Sequence, residues 1–143
     1  MIAFNAAPPQ GTVRDWLDQQ ASTRGDQIAY RFTDGAADLS WASLRDVAHA
    51  RAQGLTALGM TKGESLAVMM PNGRAALETL FAGLCGGFRV TMINLAAGND
   101  AITYAFKHCE ARFACVDADQ QVQFAATCPD GLRPLPENLD LMA

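Results

Sequence analysis

Short apolar runs alternate with helical segments along the middle of the chain, and this alternation constrains the fold more than any other feature. The runs cover residues 66–70, 88–93 and 113–116, and a segment with helical spacing separates each run from the next. Asn72 and Asn99 are placed to cap these two helices. A repeat of roughly two dozen residues is typical of βαβ units on a buried parallel sheet. The sequence therefore predicts an α/β fold in which helices flank three mostly parallel strands.

The N-terminal part of the chain predicts two helices on either side of a small hairpin. Thr12 and Asp15 have the spacing of a capping box at the start of the first helix. Apolar and polar residues alternate over 28–32, which is the pattern of a half-buried strand before a turn. Ser40 is expected to cap the second helix and Gly59 to end it.

These patterns divide the chain into three segments. We expect a loose lead-in over residues 1–11, an α/β subdomain over 12–118 and an irregular, linker-like tail over 119–143. Prolines and glycines limit regular structure in the tail to a short helix near 120–127. The tail lacks the pattern of a finished domain, so we expect the chain to be part of a longer protein.

Composition excludes several classes of protein. Half of the 143 residues are apolar, which is enough to form a core, and the 11 basic residues are scattered under a net charge of −4. A nucleic-acid partner is therefore not expected. The longest uncharged apolar stretch, 79–88, falls well short of the roughly 20 residues that a membrane helix needs. No signal-peptide pattern is present, so we expect a soluble, cytoplasmic protein without a transmembrane segment.

The four cysteines predict free thiols in a reducing compartment. Their spacing has neither a C-x-x-C pair nor the density of a secreted disulfide framework. They are Cys85, Cys109, Cys115 and Cys128. His108 and Cys109 with Cys115 match no common zinc pattern, so we interpret these cysteines as core residues beside a surface histidine.

Two glycine-rich stretches lack the order that phosphate binding requires. A phosphate loop follows a strand and opens a helix, whereas residues 54–65 follow a helix and precede a strand. Gly83, Gly86 and Gly87 lie at a helix end without the spacing of a dinucleotide fingerprint. We interpret the first stretch as a helix stop and turn, and the second as close packing and chain reversal.

Isolated polar residues also yield no active site. His49 falls on the polar face of its helix, and no serine or cysteine nucleophile lies at a recognisable spacing from it. We therefore expect its side chain to be solvated. Asp117 and Asp119 follow the last strand and could hold Mg²⁺, but the acidic pair of a receiver-type site is missing at 70–72. We therefore assign no catalytic, cofactor-binding or metal-binding residue.

Four sequence blocks in register resemble the N-terminal part of the adenylate-forming, or AMP-binding, superfamily. This superfamily includes acyl-CoA synthetases, luciferases and the adenylation domains of peptide synthetases. The blocks are DLSWASL at 38–44, ALGMTKGESLA with a following PN at 57–72, GLCGGFRVTMINL at 83–95 and YAFKHCEAR at 104–112. Met92 and Leu95 stand where the family usually has proline. The resemblance covers residues 12–117.

The resemblance favours an AMP-forming acyl-CoA synthetase over a fragment of a peptide-synthetase adenylation domain, which stays open as an alternative. The complete enzyme would use Mg-ATP to convert a carboxylic acid into an acyl-adenylate and would then transfer the acyl group to coenzyme A. In the family, the phosphate loop, the adenine and ribose motifs and the C-terminal lysine all lie downstream of the matched blocks. We therefore carry over no site residue, and we expect the chain alone to bind no cofactor and to be inactive.

Two other interpretations stay open. The chain could be a complete α/β binding module of flavodoxin or receiver type, with its ligand at the carboxyl ends of the strands. It could also be a non-catalytic relative that associates with another chain. As partners we expect the remainder of its own polypeptide and, because a cut sheet exposes an edge and apolar surface, a second copy. We expect that contact near residues 112–117 or on the helix at 99–109.

Overall fold

The computed structural model describes residues 10–135, in which helices cover both faces of a parallel sheet beside a small antiparallel hairpin. The helices are α1 (Val13–Arg24), α2 (Trp41–Ala57), α3 (Arg74–Gly86), α4 (Asn99–His108) and α5 (Gln121–Thr127). The strands are β1 (Ile28–Tyr30), β2 (Leu39–Ser40), β3 (Ser65–Met69), β4 (Arg89–Met92), β5 (Phe113–Val116) and β6 (Arg133–Pro134). The predicted α/β class, with its parallel sheet and N-terminal hairpin, is confirmed.

The parallel strands follow the order β4-β3-β5-β6, so β3 lies inside the sheet. Val68 of β3 is in register with Met92 of β4 on one side and with Cys115 of β5 on the other. All five residues of β3 are buried, as expected of a strand covered on both faces. This sheet has four strands in the described part of the chain, one more than the sequence predicts.

Alternate residues of β3 and β5 supply two separate cores. One core lies between the sheet and α2; its buried members are Leu55, Met60, Leu66, Val68, Phe88, Phe113, Cys115 and Leu135. The other lies under α4 and α5; its buried members are Ala67, Met69, Ile93, Ile102, Phe106, Ala114, Val116, Phe124 and Leu132. Because the side chains of a strand alternate between faces, this division follows directly from the strand pattern.

A third cluster joins the hairpin to α1, α2 and α3. Its buried members are Leu17, Leu39, Leu44, Ala48, Phe81 and Cys85. Trp16 of α1 and Trp41 of α2 meet edge to face, with ring centroids 5.4 Å apart. Tyr30 of the hairpin packs against Phe81 of α3 with ring centroids 6.2 Å apart, which holds the hairpin against α3.

Helix caps agree with the sequence in the first half of the chain and differ in the second. The capping box of Thr12 and Asp15 is present, and the Ser40 hydroxyl accepts a hydrogen bond from Ser43 N at 3.1 Å. The predicted caps Asn72 and Asn99 are wrong, because glycine occupies the cap position before α3 and before α4.

The segment expected to be an irregular tail contains regular structure up to residue 134. A 3₁₀ turn at Ala118–Gln120 leads into α5, and β6 adds to the sheet through Arg133 N, which donates to Arg112 O at 2.9 Å. Strand β5 therefore has a neighbour on both sides, and the contact with a second copy near residues 112–117 or 99–109 stays a prediction. The division of the chain into domains stays a prediction, since residues 1–9 and 136–143 lie outside the described part.

Candidate functional site

The carboxyl ends of β3 and β5 form the topological switch point of the sheet. The connection through α3 leads from β3 to β4 on one side, and the connection through α4 leads to β5 on the other. Asp117 N donates to Met69 O at 3.0 Å and fixes the two strand ends together. Ligands of open α/β sheets bind in the crevice outside such strand ends.

A cavity of about 250 Å³ lies at this switch point, and we call it the carboxyl-end crevice. Three stretches of chain line it: the loop after β3 with the start of α3, the residue after β5, and the tip of the hairpin. Its lining residues are Asp34, Ala36, Met70, Pro71, Asn72, Gly73, Arg74, Ala75 and Asp117.

The amino end of α3 faces the hairpin, and a carboxylate from that hairpin lies beside it. Gly73 caps α3 without a side-chain hydrogen bond, and Asp34 Oδ2 lies 3.4 Å from the position that a β-carbon on Gly73 would take. The other oxygen of Asp34 accepts from Ala36 N at 3.0 Å. Because the amino end of a helix carries partial positive charge, Asp34 compensates the field of α3.

Arg74 is the cationic residue among those that line the crevice, and its side chain is bound to other groups of the protein. Arg74 Nε donates to Glu78 Oε1 at 2.7 Å, and its Nη1 donates to Ala37 O at 3.1 Å. Glu78 is buried and also lies 3.0 Å from Arg51 Nη2 of α2. These contacts tie α2, α3 and the hairpin together, so Arg74 serves the scaffold.

An apolar groove adjoins the crevice and shares Asn72 and Gly73 with it. The groove has a volume of about 270 Å³ and runs between the hairpin, α3 and the end of β4. Its other lining residues are Tyr30, Phe32, Ala76, Leu77, Leu80 and Met92. The site therefore combines a small polar crevice with an apolar extension toward the β4 edge.

Both glycine-rich stretches have the structural roles that the sequence predicts. In the 54–65 stretch, Gly59 and Gly63 adopt positive φ angles between α2 and β3, at the opposite end of the sheet from the crevice. Gly87 ends α3 in the left-handed conformation. A β-carbon on Gly83 would come within 2.3 Å of Val90 Cγ2, so this glycine permits close packing of α3 on β4.

The structure does not bring His108, Cys109 and Cys115 together as ligands. Cys109 packs against the core under α4, whereas Cys115 belongs to the core on the other face of the sheet. His108 stacks on Tyr104 with ring centroids 5.1 Å apart. Within residues 10–135, no group of three or more histidine, cysteine or acidic residues could hold a metal ion.

The two acidic candidates after β5 also have separate positions. Asp117 lines the crevice, and its Oδ2 accepts a hydrogen bond from Asp119 N at 3.0 Å. This contact caps the 3₁₀ turn, and the exposed Asp119 does not line the crevice. Of these two acidic residues, which the sequence does not assign as magnesium ligands, Asp117 is therefore at the switch point and Asp119 is not.

His49 is the clearest difference from the sequence-based interpretation. Its Nε2 atom lies 3.1 Å from Asp18 Oδ1 on α1, and its side chain is only 22% exposed. The expectation of a solvated histidine is therefore wrong. Helical periodicity places His49 on a polar face but does not show that α1 packs against that face, so the sequence carries no signal for this contact.

A family model described as "AMP-binding enzyme" matches residues 17–138. The chain belongs to this family. Among curated proteins, none matches the sequence.

Solved structures of other AMP-binding and related enzymes share the fold. The N-terminal domain of FACL13 from Mycobacterium tuberculosis is 18% identical with a TM-score of 0.78, and the match covers 87% of this chain and 34% of that one. A putative long-chain-fatty-acid CoA ligase from Rhodopseudomonas palustris is 20% identical with a TM-score of 0.79, covering 88% and 33%. The o-succinylbenzoate CoA synthetase from Bacillus subtilis is 18% identical with a TM-score of 0.75, covering 90% and 32%. The chain thus spans about a third of each structure.

Mg-ATP, the cosubstrate that the sequence resemblance implies, does not fit the carboxyl-end crevice. Its volume of about 250 Å³ is below the roughly 300–1,000 Å³ of ordinary ligand sites. The carboxylates of Asp34 and Asp117 would repel a polyphosphate, and Arg74 is already bound to Glu78. We therefore derive no step of the reaction through this crevice.

Sequence reasoning missed the residues that shape this site. Asp34 looks like an ordinary turn residue, and Asn72 looks like a helix cap. The usable signal is topological, because the carboxyl ends of parallel strands mark the switch point once the strand order is known.

In the described part of the chain, none of the helices is long and apolar enough to cross a membrane.

Proposed function

We propose that this chain is the N-terminal part of an acyl-CoA synthetase, an acid–thiol ligase that forms AMP. The family match over residues 17–138 carries the proposal. The names of the structural neighbours add to it, since they include fatty-acid and o-succinylbenzoate CoA ligases. The complete enzyme would join a carboxylic acid to AMP, release pyrophosphate and then transfer the acyl group to the thiol of coenzyme A.

In this proposal the chain itself is a scaffold. Its crevice offers neither a nucleophile next to a base nor a free cation for phosphate, so chemistry at the adenylate must come from other residues. Its main partner is then the remainder of its own polypeptide, and no nucleic acid is involved. We place the enzyme in the cytoplasm, which the four free cysteines support.

The test compares this chain with the longest polypeptide encoded in the same reading frame. For the chain alone, we expect no ATP–pyrophosphate exchange with a panel of carboxylic acids and a flat calorimetric titration with Mg-ATP. For the longer polypeptide, we expect exchange and loss of free coenzyme A thiol. Saturable micromolar binding of ATP or AMP to the chain alone would contradict the scaffold role. Transfer of an amino acid to a carrier-protein thiol would favour a peptide-synthetase module.

One structural observation favours a second function. The order β4-β3-β5-β6 is the beginning of the flavodoxin-like arrangement, in which a ligand binds at the switch point. The chain would then be a binding module that uses the carboxyl-end crevice. Riboflavin, which lacks the phosphate that Asp34 and Asp117 would repel, is the probe for the crevice and the adjoining groove, and quenching of its fluorescence that disappears in Asn72→Trp would support this function. Absence of quenching would leave the ligase proposal as the better one.

A further inference from the structure

Strand β4 has one side free for pairing. Its odd-numbered residues face β3: Arg89 N donates to Glu64 O and Ile93 N donates to Val68 O, each at 2.9 Å. Successive backbone groups of a strand point to opposite sides, so the amides and carbonyls of Val90 and Met92 point away from the sheet. Within residues 10–135, no strand lies on that side.

The two edges of the sheet are unequal. Strand β6 forms the other edge, but it has only two residues and one of them is Pro134, which has no N–H to donate. An edge of this kind is protected against pairing, whereas an edge with free amides and apolar side chains accepts another strand. The available edge is therefore β4.

Apolar surface continues from the β4 edge into the groove. Met92 is 42% exposed and lines the groove together with Tyr30 and Phe32. An open strand edge whose side chains continue into an apolar groove is available for pairing with another strand. A strand added to β4 would cover both Met92 and the mouth of the groove.

The charges at the two ends of β4 select the direction of the added strand. Lys62 packs against Gly87 just before β4, and Arg89 begins the strand and lies 3.7 Å from Glu110. Asp34 lies at the other end, in the crevice that adjoins the groove. A second copy running antiparallel brings the basic end of each strand toward the acidic end of the other, whereas a parallel copy would oppose like charges.

We propose that two copies of this chain pair antiparallel through β4 about a two-fold axis at Thr91. Val90 of each copy lies opposite Met92 of the other, and these residues exchange the hydrogen bonds that point out of the sheet. Thr91 of one copy lies opposite Thr91 of the other as a non-hydrogen-bonded pair, with Cα atoms roughly 4.5 Å apart. The same surface patch serves both copies, as a two-fold interface requires.

A cysteine at the axis tests both the dimer and its register. Cα atoms roughly 4.5 Å apart can be joined by a disulfide, so we expect Thr91→Cys to form a covalent dimer under mild oxidation. Arg89→Cys is the matched control: two copies of residue 89 would be about 14 Å apart along the strands, which is too far to bridge. Non-reducing denaturing electrophoresis measures the dimer. Equal crosslinking of both variants, or of neither, would overturn the proposal.

A second variant tests the hydrogen bonds without a new thiol. Met92→Pro removes an outward N–H from each copy and leaves the bonds from β4 to β3 intact. We expect the dissociation constant of the dimer to rise at least about tenfold, since two hydrogen bonds are lost. Light scattering over a concentration series measures it, and circular dichroism checks the fold. Val122→Lys alters an 85% exposed apolar side chain on α5 and should leave the dimer unchanged. A monomeric wild type, or a dimer that Met92→Pro does not weaken, would contradict the pairing.

Discussion

Arg112 holds Glu64 through two parallel hydrogen bonds across the amino end of the sheet. Arg112 Nε donates to Glu64 Oε1 at 2.8 Å, and Nη2 donates to Glu64 Oε2 at 3.0 Å and to Gly59 O at 2.9 Å. The two residues come from different sequence blocks, ALGMTKGE and YAFKHCEAR. The contact therefore connects the turn before β3 to the turn before β5, and it gives these motif residues a structural role at the end of the sheet away from the crevice.

The contact between Arg112 and Glu64 makes the free energy of unfolding depend on pH. The hydrogen bonds from Arg112, followed by that from the Thr61 backbone, lower the pKa of Glu64 from 4.5 to about 2. A depressed carboxylate pKa contributes stability that is present above pH 4.5 and is lost as the pH falls toward 2. We expect Glu64→Gln to reduce this acid-dependent loss, measured as the free energy of unfolding in urea at several pH values from 7 to 3.

Glu110→Gln is the control for this prediction. Glu110 is also paired with an arginine, but the contact to Arg89 is 3.7 Å long and both side chains are mostly exposed. Such surface pairs contribute little, so Glu110→Gln should keep the pH profile of the wild type. A profile for Glu64→Gln that matches the wild type throughout would show that the Arg112 contact does not perturb Glu64 in solution.

Glu78 should be the most costly carboxylate to remove. It is buried between Arg51 and Arg74, and Glu78→Ala leaves the Arg51 side chain, only 17% exposed, without its partner. Loss of one member of a buried ion pair costs about 3–5 kcal/mol. Urea denaturation measures this loss against the exposed Glu110→Ala, which should stay within about 0.5 kcal/mol.

The double variant Arg51→Met/Glu78→Leu separates charge burial from packing. Replacement of a buried pair by apolar residues of similar size is often neutral, so the double variant should be more stable than Glu78→Ala. If it is no more stable, the loss in Glu78→Ala comes from packing rather than from the orphaned Arg51.

Helix α3 packs so closely against β4 at Gly83 that one added methyl group should lower the free energy of unfolding. Its added β-carbon would lie 2.3 Å from Val90 Cγ2, and overpacking of this kind costs about 1–3 kcal/mol. We expect Gly83→Ala to destabilise the wild type but to be tolerated in a Val90→Ala background, because the smaller side chain removes the clash. A double-mutant cycle from thermal and urea unfolding checks this. Equal costs in the two backgrounds would place the effect elsewhere.

The sequence predicts the parallel sheet because its signal is local. Apolar runs in β3 and β5, and helices with a clear apolar face, can be recognised within a few residues. Strand β6 has no such signal, since it is two residues long and contains Pro134. It forms because Leu135 N reaches Ala114 O at 2.8 Å, a contact that depends on how α5 returns the chain to β5.

The candidate site was predictable in its location but not in its composition. The carboxyl ends of parallel strands mark a site in any such sheet, and Asp117 follows β5 directly. Asp34 comes from the hairpin, which reaches α3 through contacts between residues distant in the sequence, such as that of Arg74 with Ala37 O. The pair of His49 and Asp18 has the same origin, because both positions look like ordinary polar faces until the two helices are packed together.

The four thiols should react in two groups. Burial raises the pKa of Cys85 to about 11 and that of Cys115 to about 12, and only the thiolate attacks a disulfide reagent. Cys109 and Cys128 are half-buried, although burial also raises the pKa of Cys128. At pH 8 we expect Cys109 and Cys128 to react first with 5,5′-dithiobis(2-nitrobenzoate), and Cys85 and Cys115 only as the protein unfolds.

The variant Cys109→Ser/Cys128→Ser isolates the slow group. It should show only the slow phase in native buffer and release two equivalents of reagent in denaturant, where the wild type, with its four free cysteines, should release four. Cys85→Ala serves as the control, because it should remove slow amplitude and leave the fast phase intact. The slow phase should also accelerate with urea in step with unfolding, since the buried thiols become accessible only when their cores open. Rapid modification of the double variant in native buffer would mean that Cys85 or Cys115 is exposed in solution, which would contradict the packing of the cluster to which that cysteine belongs.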